Sequence, residues 1–227
     1  MGNINKLDKG DETAFFDKIE KELFTAVICD VLDDLGYRNQ NLSGQIRPVI
    51  QNSSLAGRAR TILAADVYTM PDVPYEMEIE AVDSVTKNEI IVAATNHSTT
   101  NAIWGELLAT YTMLKGARGA IIDGCSRDIR KITEMGFRLF TAGINPLDSK
   151  GRCLVIDYNC EIICGGVKVR PNDMVFADID GIVVIPREVE NEVIERSLKK
   201  VGMENQFLKD LHKGYSLKEA FKRNGIL

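Results

Sequence analysis

IIDGCSRD, residues 121–128, is an apolar run that stops at a glycine and then delivers an arginine and an aspartate side by side. The isoleucines suit a buried strand, and Gly124 reads as its end. Adjacent residues do not face each other on a helix, so Arg127 and Asp128 are expected to point at something other than each other. Upstream, residues 89–95 (EIIVAAT) form the continuous apolar run of a strand buried on both faces. Residues 103–115 place Ile103, Leu107, Leu108, Tyr111 and Leu114 on a helical stripe expected to face a core. Gly116 and Gly119 end that helix before a strand over 120–123. Downstream, Ser126 is expected to cap a short helix carrying Ile129 and Ile132, closed by Gly136, with a strand over 137–142. Strand, helix, strand, helix, strand over 89–142 is the signature of a parallel α/β arrangement.

The flanks read differently. Residues 15–35 carry Phe16, Ile19, Leu23, Ala26, Val27, Val31 and Leu35 at helical spacing, as one helix or two broken near Thr25, stopped by Gly36. A strand over 57–65 leads into a polar connection containing Pro71 and Pro74. After Pro146, segments 154–158, 161–164, 167–169, 174–177 and 182–185 alternate with Gly, Pro, Asn and Asp, the pattern of antiparallel structure or a small barrel-like closure. Residues 187–207 form an amphipathic helix, and a last helix opens on a capping box of Ser216 and Glu219.

With 227 residues, 44% hydrophobic and 27% charged, the chain suits one domain over 1–227: a core over about 20–186 and a C-terminal helical extension over 187–227. The net charge of -5, with both signs interspersed, offers no footprint for nucleic acid or an anionic membrane. No apolar run approaches the roughly 20 residues that span a bilayer, and MGNINKLDKGDETAFF at the N-terminus lacks a signal-peptide core, so a cytoplasmic protein is expected. The odd count of five cysteines suggests reduced thiols. Only His97 and His212 could join them as ligands, which argues against zinc.

Two polar stretches follow strands, where α/β proteins hold ligands: Thr95-Asn96-His97-Ser98 and Gly124-Cys125-Ser126-Arg127-Asp128. If their strands are parallel neighbours, the loops meet in one cleft and gather Glu106, Arg127 and Asp128. Carboxylates without histidine or thiolate suit a hard ion such as Mg²⁺ or Mn²⁺ that keeps several waters. A guanidinium fork suits a carboxylate or an enolate oxygen, and the N–H groups after Gly105 suit an anion. Such a set fits a metal-chelated 2-oxo acid stabilised as its enolate. Plain alternatives stand beside it. Asp128 could serve only a helix N-terminus, Arg127 a surface ion pair and Glu106 solvent, while Cys125 reads as a buried filler and His97 as a surface polar residue.

The run WGELLATYTMLKGARGAIIDGCSRDIRKI resembles the RraA-like family, which includes class II 4-hydroxy-4-methyl-2-oxoglutarate/4-carboxy-4-hydroxy-2-oxoadipate aldolases. Those aldolases carry an acid, twenty intervening residues and Arg-Asp, a spacing matched by Glu106 and Arg127-Asp128 with Glu in place of the more usual Asp. TAVICDVLDDLGY, LAGRARTI and GGVKVRPNDMVFADIDGIVVIP extend the resemblance over roughly residues 20–200. It implies a swivelling βαβ-type αββα sandwich with a small β-rich closure and C-terminal helices, assembled as a homotrimer or homohexamer with sites between subunits. It implies a metal-dependent aldolase that cleaves a 4-hydroxy-2-oxo acid of the 4-hydroxy-4-methyl-2-oxoglutarate type to pyruvate, with oxaloacetate decarboxylation as a side activity. Within that resemblance Asp128 binds Mg²⁺ or Mn²⁺, Arg127 contacts the pyruvoyl part, and Glu106 acts on the metal through water. Gly105, Leu107 and Leu108 meet the substrate carboxylate, and Glu204 of a neighbouring subunit approaches the metal. The family also contains non-catalytic regulators of ribonucleases, which lack the aspartate found here at 128, and a lyase for a sugar-derived 2-oxo acid is a further alternative. No glycine-rich S-adenosylmethionine loop supports a methyltransferase.

Overall fold

Side-chain alternation decides which side of the central sheet each residue joins. In the strand Glu89–Ala94, Ile90, Val92 and Ala94 enter one core while Ile91 and Ala93 enter another. The computed structural model describes residues 12–226, and most of the N-terminal stretch read above for a signal peptide lies outside them. In chain order the elements are α1 (Thr13–Glu22), α2 (Thr25–Asp34), β1 (Arg47–Pro48), β2 (Leu55–Asp66), α3 (Glu76–Asp83), β3 (Glu89–Ala94), β4 (Ala102–Trp104), α4 (Glu106–Leu114) and β5 (Gly119–Ser126). There follow α5 (Ile129–Glu134), β6 (Leu139–Ile144), β7 (Cys153–Tyr158), β8 (Ile162–Cys164), β9 (Val167–Val169), β10 (Met174–Ala177), β11 (Ile182–Ile185), α6 (Glu190–His212) and α7 (Leu217–Asn224).

Nine strands form one sheet in the order β1-β6-β5-β3-β2-β10-β11, with β4 beside β5 and β7 beside β2. The centre is parallel: β2 with β3, β3 with β5, and β5 with β4 and β6. Because α3, α4 and α5 connect these strands, Ala81, Val82, Ala109 and Ile132 cover one face. The hairpin β8–β9 covers the other with Ile162, Cys164, Val167 and Val169. A third core, built on Phe16, Ile19, Val27, Ile28, Val31 and Leu32, packs α1, α2 and α6 against β10 and β11. The layers match the expected α/β sandwich with a β-rich closure and C-terminal helices.

The 15–35 segment is two helices, parted by Leu23 and Phe24 in extended conformation. Thr25 opens the second, its N–H and hydroxyl both donating to Asp178. Other expectations need correction. The connection through Pro71 and Pro74 holds α3, whose Met77, Ala81 and Val82 make a short apolar stripe. Residues 102–104 form β4, so the helix expected from 103 begins at Glu106. Its buried residues are Ala109 and Thr112, whereas Leu107, Tyr111 and Leu114 are exposed; small residues let the helix lie close on the sheet. Gly124 does not end its strand: β5 runs on to Ser126, whose hydroxyl bonds Thr141 instead of capping α5.

Where β3, β5 and β6 begin, buried and half-buried arginines are held by carboxylates. Arg58 binds Glu12 and Glu190, Arg118 binds Asp17 and Glu20, Arg138 binds Glu20, and Arg60 binds Glu89. The guanidiniums of Arg58 and Arg118 each lie over the ring of Phe16, 5.5 Å from its centre.

Candidate active site

The opposite end of the parallel strands carries the other charges. Strand β4 lies parallel to β5, and the Arg127 N–H donates to the Trp104 carbonyl, 2.8 Å away, so Gly105 and Arg127 leave the sheet side by side. Asp128 then adopts φ 58°, a left-handed conformation that Asp and Asn tolerate better than most residues. This kink brings Arg127 Nε within 3.8 Å of Asp128 Oδ2. The expectation that the two would ignore each other is corrected, because neither is in a helix.

The Asp128 carboxylate does not cap its own helix α5. Its Oδ2 accepts the backbone N–H of Glu106, 3.1 Å away, at the start of α4. The plain reading of Asp128 as a helix-terminus residue is therefore correct for one oxygen, on a helix distant in sequence; Oδ1 has no hydrogen bond among the described residues. Glycine at 105 is a matter of space, since a Cβ there would stand 2.7 Å from Asp128 Oδ2. In α4 the N–H groups of Leu107 and Leu108 fall in the first turn, which has no intrahelical acceptors.

Glu106, Arg127 and Asp128 line one cleft of about 520 Å³ together with Gly105, Leu107 and Leu108. Glu204 lies on α6 and does not line it. Nor does the Thr95–Ser98 loop. Thr95 is turned inward, its N–H and hydroxyl donating to the buried Asp123, and Ser98 bonds Asp66. His97 is exposed. Cys125 is a buried filler, as expected, and burial pushes its thiol pKa up.

Three ionisable lining residues were not anticipated: Tyr75, Glu78 and Asp148. Asp148, beyond β6, stands 3.2 Å from Arg127 and accepts the Tyr75 hydroxyl, which pushes the tyrosine up to about 12. Tyr75 sits at φ 66°, a strained position for an aromatic residue. Glu78, on α3, makes no hydrogen bond or ion pair among the described residues. Burial first, then the nearby Asp148, push its carboxyl up to about 7, and Arg127 opposes the shift. Reading only a polar connection through Pro71 and Pro74 hid Tyr75 and Glu78; the Met77, Ala81, Val82 spacing is the signal that reveals their helix.

The donors available to an ion are hard oxygens. Asp128 offers one carboxylate, and no three His, Cys, Asp or Glu side chains cluster for chelation among the described residues. Water and substrate would supply the remaining positions, which is how Mg²⁺ is commonly bound. The site thus fits such an ion.

A family model described as "RraA-like: Aldolase/RraA" matches residues 25–184. A Halalkalibacterium halodurans protein named "Putative 4-hydroxy-4-methyl-2-oxoglutarate aldolase" is 31% identical over 176 residues, 78% of this chain and 79% of that one. Among solved structures, one described as "novel cellulases from microbes associated with the gut ecosystem" superposes with TM-score 0.82 at 27% identity, over 88% of this chain and 90% of that one. Streptomyces coelicolor RraAS2, described as an unusual member of the RNase ES inhibitor RraA protein family, superposes at 0.74 with 24% identity, over 88% and 98%. Central parallel strands, an Arg-Asp pair at the end of β5 and a match over most of the sheet agree: this chain belongs to the RraA-like family.

Proposed function

We propose that the protein is a divalent-metal-dependent aldolase that cleaves a 4-hydroxy-2-oxo acid to pyruvate and a second carbonyl compound, with oxaloacetate decarboxylation as a side activity. The observation that carries this reading is the meeting of Glu106, Arg127 and Asp128 in one cleft beside the first turn of α4. The name of the Halalkalibacterium relative supports the reaction class.

The N–H groups of Leu107 and Leu108 receive the substrate carboxylate, helped by the positive end of the helix. Arg127, steadied by Asp148, turns its fork to the oxygen that gains negative charge as the bond between C3 and C4 breaks. Asp128 would hold Mg²⁺ or Mn²⁺, and when bound the ion supplies Lewis-acid charge for the 2-oxo group. Glu106 acts through an ordered water as proton shuttle, taking the proton of the 4-hydroxyl and returning it to the carbon that becomes the pyruvate methyl. Glu204 of a neighbouring subunit is assigned to the same ion. Leu107 and Leu114, 80% and 78% exposed on α4, support a homotrimer or homohexamer with sites at its interfaces. A cytoplasmic location is part of the proposal, and among the described residues no helix is long and apolar enough to cross a membrane.

Pyruvate release from 4-hydroxy-2-oxo acids and from oxaloacetate, with and without EDTA, tests the reading. Release should stop with EDTA and with Asp128→Asn, and Arg127→Ala should lower kcat/KM by about 10²–10³. Full activity in either folded variant would refute the assignment. Absence of turnover in the wild-type protein with added metal would favour a non-catalytic, ribonuclease-binding ring.

A further inference from the structure

The charged groups lining the cleft are unbalanced. Glu78, Glu106, Asp128 and Asp148 face one cation, Arg127. A divalent ion at Asp128 and the pyruvoyl carboxylate at Arg127 and the α4 N–H groups occupy the positive features, leaving the α3 side to the rest of the substrate. That side is formed by Tyr75, Glu78 and Ile79, with Ile103, Trp104 and Leu108 as apolar neighbours. Tyr75 and Glu78 also line a second cleft of about 200 Å³, so they stand between the two; Lys150 lines that second cleft and not the main one.

Asp148 is already engaged by Tyr75 and Arg127, whereas Glu78 has no partner among the described residues. Once ionised, an unengaged carboxyl in a half-buried wall accepts hydroxyl donors and disfavours another carboxylate, because like charges brought together away from water cost binding energy. We propose that Glu78, backed by Asp148, determines specificity: the preferred substrate is a 4-hydroxy-2-oxo acid with one carboxylate and an uncharged, hydroxyl-bearing tail, such as a sugar-derived acid. This rests on the aldolase reading and narrows it, since the relative's name specifies a dicarboxylate.

The test compares pyruvate release at pH 8, with Mg²⁺ present, from 4,5-dihydroxy-2-oxopentanoate and from 4-hydroxy-4-methyl-2-oxoglutarate, in wild type, Glu78→Gln and Lys150→Met. The wild type should favour the monocarboxylate in kcat/KM by at least about tenfold, and Glu78→Gln should shift the ratio toward the dicarboxylate by a similar factor, mainly through KM. A purely structural role for Glu78 would slow both substrates together and leave the ratio fixed, overturning the proposal. Preference of the wild type for the dicarboxylate, lost in Lys150→Met, would overturn it too and leave the aldolase reading intact. No pyruvate from either substrate would bring down both.

Discussion

The two ends of the parallel strands treat the same side chains in opposite ways. Where the strands begin, Arg58 and Arg118 are 9% and 7% exposed and each is held by two carboxylates. Where they end, Arg127 and Asp128 are 34% and 42% exposed, and Asp128 keeps an oxygen free of protein partners among the described residues. Glu78 lacks a partner altogether among them. Buried charges are tolerated when paired and hydrogen-bonded. The first end therefore serves stability, and the second leaves charge available to a ligand.

The sharpest way to break that contrast is to neutralise one group at each end. Asp128→Asn should abolish metal-dependent pyruvate release while shifting stability by no more than about 0.5 kcal/mol, since Asn also tolerates the left-handed conformation and still accepts the Glu106 N–H. Alanine would add backbone strain and blur the comparison. At the other end, Glu20→Ala removes a carboxylate shared by the buried Arg118 and the half-buried Arg138. Loss of about 3 kcal/mol is expected in denaturant unfolding, with kcat/KM of the folded fraction unchanged. If Glu20→Ala impaired turnover and Asp128→Asn impaired folding, the division of labour would be wrong.

Glu78 tests the open end by pH. Its folded pKa of about 7 lies above the ordinary 4.5, so between those values the folded state holds more proton than the unfolded one. Stability contributed by the neutral acid is complete below 4.5 and is lost as pH rises through 7. Glu78→Gln, which cannot ionise, should be more stable than wild type by about 2 kcal/mol at pH 8, and the advantage should vanish near pH 4.5. An advantage independent of pH would mean that packing, not ionisation, distinguishes the variants.

Legibility in the sequence followed the range of the forces involved. Strands β3 and β5 and the short strands after Pro146 were readable because continuous apolar runs bounded by turn residues need little tertiary help. The capping box at Ser216 and Glu219 was readable because both its bonds are local. The start of α4 was not, since Ile103 and Trp104 extend a helical pattern yet are claimed as a strand by pairing with β5. In the site, Glu106, Arg127 and Asp128 could be found by spacing and resemblance. Asp148 and Glu78 could not, because what brings them to Arg127 is the sheet order, and a lone acid carries no mark of its future neighbour.

The Thr95–Ser98 loop separates position at the strand ends from membership of the cleft, and it should yield the smallest effect. His97 follows the same end of the sheet, and an imidazole there invites a role in proton transfer. Its side chain is exposed and does not line the cleft, while Thr95 before it is tied inward to Asp123 and Ser98 after it to Asp66, so the loop is fixed apart from the Arg127 cleft. His97 has φ 59°, which makes asparagine the appropriate replacement. His97→Asn should leave unfolding within about 0.5 kcal/mol of wild type. Pyruvate release should keep its rate and its pH profile. A changed rate or profile in this variant would give the loop a part in proton transfer and extend the open end of the sheet beyond the Arg127 cleft.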